Sequence, residues 1–183
     1  MSYEVPAVVA LDANALISLC GDPSDERTKL EYLLEMLDRK RGLVIIPTPA
    51  VSEFLVAADQ ASHDLMEVLQ SKSSVRICPF DLAAAYECSQ INAAAIGRGN
   101  KRDGVQHNKP WQHIKFDRQI VAIAKCNGAQ LIVSDDEGVR ACAKRLGIQA
   151  LSMSDLEFPE HERQAKMPLE APHPHFGGEA EIY

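Results

Sequence analysis

The chain has 183 residues, 46% of them apolar, which is enough for one domain with a full hydrophobic core. No apolar run reaches the length a membrane span needs, and the N-terminus lacks a signal peptide's basic start and apolar run, so a cytosolic, membrane-free protein is expected. A net charge of −7 argues against a general nucleic-acid coat but leaves open a site built from carboxylates.

Val5–Asp12 is short, valine-rich and apolar, the pattern of a buried strand. Ala13–Cys20 continues as a helix. A second helix is expected over Asp25–Lys40, where Leu30, Leu33, Leu34 and Leu37 recur at helical spacing. Leu43–Pro49 reads as another buried strand. Thr48 is expected as an N-cap, with Pro49 opening the helix that carries Glu53. A short helix over His63–Gln70 and a strand over Val75–Phe80 follow. Asp81 reads as the cap of the alanine-rich helix behind it, and no further role is given to it.

Gly97–His113 is polar, glycine-bearing and aperiodic, and is expected to be a long loop. Arg98, Lys101, Arg102, Lys109 and Lys115 fall in or beside it. They suit either phosphate tracking or simple solvation. A helix is expected from Asp117 to Cys126, closed by Asn127-Gly128. Gln130–Ser134 reads as a fourth strand, Glu137–Leu146 as a helix ended by Gly147, and Ile148–Met153 as a fifth strand. The folded part is expected to span 1–158, with 159–183 a proline-rich, disordered tail. The five cysteines lack metal-ligand spacing and are expected as reduced, buried thiols.

Alternating strands and helices predict a three-layer α/β/α fold around a central, mainly parallel, five-stranded sheet. Such sheets place their sites at the carboxyl ends of the strands. Asp12, Asp135 and Asp136 fall at strand ends. Glu53 and Asp117 would reach the same rim from helix starts. Each acid taken singly is equally well explained as a cap. Taken together, clustered carboxylates repel one another, and a hard divalent cation such as Mg²⁺ relieves that repulsion while activating water at a phosphoryl group.

The segments VVALDANALISL, TPAVSEFLVAA and IKFDRQIVAIAKCNGAQLIVSDDEGVRACAKRLGIQALSM resemble, in order, the four acidic motifs of the PIN-domain family. The resemblance covers about Val5 to Leu156. It implies a metal-dependent endoribonuclease that needs Mg²⁺ or Mn²⁺. Asp12, Glu53, Asp117 and Asp136 would hold the metal and carry catalysis. In the triplet Ser134-Asp135-Asp136 the family pattern makes Asp136 the acid and Ser134 its hydroxyl support. The residues alone do not choose between the two aspartates, so Asp135 stays a secondary candidate. Asn14 would orient a carboxylate or a bound water, or simply start its helix. Lys115 would neutralise a substrate phosphate, or stay solvated. Small members of the family include VapC-type toxins, for which the partners are RNA, an antitoxin protein and a second copy of the chain. The Gly97–His113 segment and the tail exceed that compact toxin pattern. Two rival readings exist. A haloacid-dehalogenase-type phosphatase would use Asp12, Lys115 and the Asp135-Asp136 pair, but places a second Asp where Asn14 stands. A non-catalytic RNA- or protein-binding module would keep the fold without turnover.

Overall fold

The computed structural model describes residues 5–102 and 110–159. Five strands form one sheet: β1 (Val8–Leu11), β2 (Leu43–Pro47), β3 (Val75–Cys78), β4 (Leu131–Val133) and β5 (Gln149–Leu151). Their order across the sheet is β3-β2-β1-β4-β5, and every pairing is parallel. Seven α-helices connect and flank them: α1 (Ala13–Cys20), α2 (Asp25–Arg39), α3 (Thr48–Phe54), α4 (Gln60–Ser71), α5 (Leu82–Gly97), α6 (Trp111–Cys126) and α7 (Glu137–Arg145).

The strands read as continuous apolar runs because both faces of the sheet are covered. Side chains alternate along each strand, so neighbouring residues enter different cores. Val9, Leu11, Val44, Ile46, Leu131 and Val133 pack with Leu16, Leu30 and Leu37 of α1 and α2. Ala10, Ile45 and Ile132 pack on the opposite side with Cys88, Val121 and Cys142 of α5, α6 and α7. A third small cluster, Ala13, Ala50 and Ile120, joins α1, α3 and α6. Those three helices carry Asn14, Glu53 and Asp117, so this contact fixes their mutual placement.

Chain direction across the sheet reverses at β1. From there the chain moves outward to β2 and β3, then returns to build β4 and β5 on the other side. The crevice between the carboxyl ends of β1 and β4 is therefore the topological switch point, where open parallel sheets bind their ligands. The Asp12 amide extends the pairing there by donating to the Val133 carbonyl at 3.2 Å.

Several boundaries differ from expectation: β1 starts at Val8 and not Val5, α4 starts at Gln60 and not His63, and β3 ends at Cys78 and not Phe80. Thr48 is already helical and Pro47 takes the cap position, without a side-chain cap bond. More consequentially, α6 starts at Trp111, so Asp117 lies well inside the helix rather than opening it, and Trp111–His113 are not loop. Pro110 turns the chain into the helix with φ −56° and ψ 140°. The first turns are held by residues whose polarity hides the pattern. Ile114 is buried, and so is Arg118, which donates to Asn92 Oδ1 at 2.6 Å and to the Lys101 carbonyl at 2.5 Å. Both the Arg118 guanidinium and the Lys101 ammonium lie over the Trp111 ring, at 5.4 and 5.0 Å. Lys101 thus serves a local packing contact. Lys109 and the tail beyond Pro159 lie outside the described residues. The five cysteines are free thiols; Cys126 is exposed, contrary to the expectation that they are buried.

Candidate active site

Asp12 is the centre of the rim. It ends β1 and caps α1, and only 2% of its surface is exposed. Both carboxylate oxygens are engaged. Oδ1 accepts the Ala13 amide at 2.7 Å, and Oδ2 accepts the Ser134 hydroxyl at 2.6 Å. Ser134 follows β4 and is fully buried. Its oxygen also accepts the Asp136 amide at 3.0 Å. One hydroxyl therefore ties the acid after β1 to the loop that carries the acid after β4.

Asp136 caps α7, its Oδ1 accepting the Gly138 and Val139 amides at 2.7 and 3.2 Å. Capping does not remove it from the rim. Asp12, Glu53, Asp117 and Asp136 all line one cavity of about 290 Å³, together with Asn14. Asp12 forms the buried floor, Asn14, Asp117 and Asp136 are half-buried, and Glu53 is exposed on α3.

The electrostatics follow from this arrangement. Burial is the main influence on the Asp12 carboxyl and pushes its pKa above the usual value. The Ser134 hydroxyl and the Ala13 amide pull it back down, and the charges of Glu53 and Asp136 push it up again. Glu53 and Asp136 are thus both near enough to oppose the ionisation of Asp12.

Asp135 and Lys115 are not among the cavity's lining residues. The Asp135 carboxylate instead accepts the Met153 amide at 2.9 Å, which pins the turn after β5. Lys115 is exposed on α6. The lining also holds residues that the sequence reading passed over: Gln112, His113 and Phe116 of α6, Ser52 of α3, Pro49, and Val56 in the 3₁₀ turn Leu55–Ala57. His113 stands four residues before Asp117, one helical turn away. That signal was hidden only by starting the helix too late.

The donors suit a hard divalent cation: all four acids offer oxygen, and a cation would offset the buried charge of Asp12 and the repulsion of its neighbours. Among the described residues, however, no three His, Cys, Asp or Glu side chains stand close enough to form a direct protein cage. A divalent ion held here would therefore keep several water ligands and take few from the protein.

A family model for the PIN domain matches residues 9–145. The chain belongs to the PIN-domain family. Members of this family are typically nucleases. No curated protein sequence matches the chain. Among solved structures, it is similar to VapBC2 from Rickettsia felis bound to a DNA fragment from their promoter. The TM-score is 0.55 at 14% identity, covering 79% of this chain and 98% of the other. It is also similar to DNA-bound VapBC from Salmonella typhimurium. There the TM-score is 0.52 at 18% identity, covering 81% and 99%. At these identities the likeness is one of fold, and it agrees with the all-parallel, five-stranded PIN architecture.

Proposed function

We propose that this PIN-domain protein is a divalent-metal-dependent endoribonuclease acting in the cytoplasm. The observation that carries the reading is the convergence of Asp12, Glu53, Asp117 and Asp136 on one cavity at the sheet's switch point. Mg²⁺ or Mn²⁺, when bound, would polarise a phosphoryl oxygen and lower the pKa of a bound water. Asp12 and Asp136 would hold the ion from the floor, in positions set by the Ser134 hydroxyl and the cap of α7. Asp117 and Glu53 face the same space from α6 and α3 and complete the set of acidic oxygens. Asn14 offers an amide to orient a carboxylate or a water.

The phosphatase reading gives Glu53 and Asp117 no task, although both line the cavity, and it needs Lys115, which does not. The two VapBC neighbours favour a narrower form of the nuclease reading, a toxin held in check by an antitoxin. No helix among the described residues is long and apolar enough to cross a membrane.

Incubating the protein with labelled single-stranded RNA tests the reading. Internal cleavage is expected with Mn²⁺ or Mg²⁺, loss of cleavage with EDTA, and recovery when excess metal is restored. Cleavage that persists undiminished in EDTA would contradict it, as would intact RNA under every metal condition.

A further inference from the structure

Two exposed large apolar side chains flank the acidic cavity. Val56 is 84% exposed in the 3₁₀ turn after α3, and Phe116 is 50% exposed on α6. Single exposed apolar residues are ordinary on a protein surface. These two come from different elements yet line the same cavity as four acids. Neither is needed for the core: Phe54, two residues before Val56, and Ile114 and Ile120, on either side of Phe116, fill it instead.

The wall beside them has a second character. Ser52, Gln112 and His113 bring hydroxyl, amide and imidazole groups to the same cavity. An apolar surface edged by hydrogen-bonding groups matches a nucleobase, which has an apolar face and a rim of donors and acceptors. Phe116 and the four acids line the same cavity, so a ring stacked on Phe116 would share that space with the acidic oxygens. A base inside a duplex has both faces covered by its neighbours and cannot present one to a side chain in a cavity.

We propose that Phe116 and Val56 form an apolar clamp that stacks an unpaired base of single-stranded nucleic acid, seating the adjoining phosphate over the acidic floor. Selection for unpaired strands would then reside in the cavity wall and would not require a basic groove. The position of the phosphate rests on the nuclease reading above. The stacking itself is measurable without cleavage.

The experiment uses the full chain with Mn²⁺ and a fluorescent, hydrolysis-resistant phosphorothioate oligoribonucleotide, read by anisotropy. Wild type is expected to bind the single strand more tightly than the same sequence in a duplex. Phe116→Ala should weaken single-strand binding about 5- to 150-fold, the range for loss of one base–aromatic stack. Phe116→Trp should restore it. Abasic sites placed along the strand should cost wild type a similar factor at one position and cost Phe116→Ala nothing there. Phe116 is half exposed, so the variants should retain the parent's thermal unfolding curve. Three results overturn the clamp: unchanged binding by Phe116→Ala, an abasic penalty equal in both proteins, or equal binding of single strand and duplex by wild type. Hydrolysis of the unmodified strand is assayed alongside. If it proceeds while Phe116→Ala binds normally, the clamp fails and the nuclease reading stands. If stacking is seen without hydrolysis, the nuclease reading fails alone.

Discussion

Asp12→Asn is expected to lower RNA cleavage by at least about 100-fold, more than is usual for loss of a group that merely supports a metal ligand. The same change should leave the metal-free protein folded and more resistant to heat at neutral pH. The substitution keeps the shape, the side-chain carbonyl can still accept the Ala13 amide, and the new NH2 can donate to the Ser134 oxygen where the carboxylate accepted that hydroxyl's proton. It removes a charge that burial, Glu53 and Asp136 all disfavour. Because the folded carboxyl has a pKa above its ordinary 3.8, the unfolded chain gives up that proton first as the pH rises. Ionisation of Asp12 therefore opposes folding. Its contribution to stability is complete below 3.8 and is lost as pH rises through the raised folded value. The advantage of asparagine should appear above that window and vanish below it. In a domain of this size, each ~1 kcal/mol gained moves the melting temperature by about 2–4 °C. Thermal unfolding in EDTA across a pH series, beside a cleavage assay, reads both effects. A variant that cuts RNA at the parent rate removes Asp12 from the site.

Ser134→Ala should damage stability and activity together. The hydroxyl is fully buried, gives its proton to Asp12 and accepts the Asp136 amide. Alanine leaves a buried carboxylate oxygen and a backbone amide without that partner, at about 1–3 kcal/mol for each buried group so stranded. It also removes a bond that favours the ionised form of Asp12, so the carboxyl pKa should rise further. Activity should fall about 10- to 100-fold, the usual effect of losing a group that orients a metal ligand. Urea unfolding and a pH–rate profile check this. A shift of the profile toward higher pH is the signature of the lost hydrogen bond, which general destabilisation would not produce.

Much of the architecture is legible in the chain because its causes are local. Valine- and isoleucine-rich runs buried on both faces identify β1, β2 and β4. Asp81 caps α5 as expected, through a short-range contact with the Ala84 amide. Asp12 could be placed on the rim from topology alone, and so could the Asp135-Asp136 pair; the preference for Asp136 comes from the family resemblance. The start of α6 could not be placed, because one of its early buried positions is an arginine and its first residue, Trp111, is held by the cations of Lys101 before the helix and Arg118 within it. With that start misplaced, His113 and Phe116 could not be seen as neighbours of Asp117. The fate of Asp135 is equally non-local: its carboxylate is claimed by the Met153 amide, eighteen residues further on. Spacing along the chain also says nothing of how tightly the acids gather, since that depends on the contact of α1, α3 and α6 through Ala13, Ala50 and Ile120.

Direct titration of Mn²⁺ into the metal-free protein, followed by electron paramagnetic resonance of the free ion, goes to the heart of the matter without requiring a substrate. Saturable uptake by the parent chain, weakened about 10-fold or more in Asp12→Asn, is the predicted outcome. Identical uptake by the two proteins would contradict a shared ion site on these carboxylates.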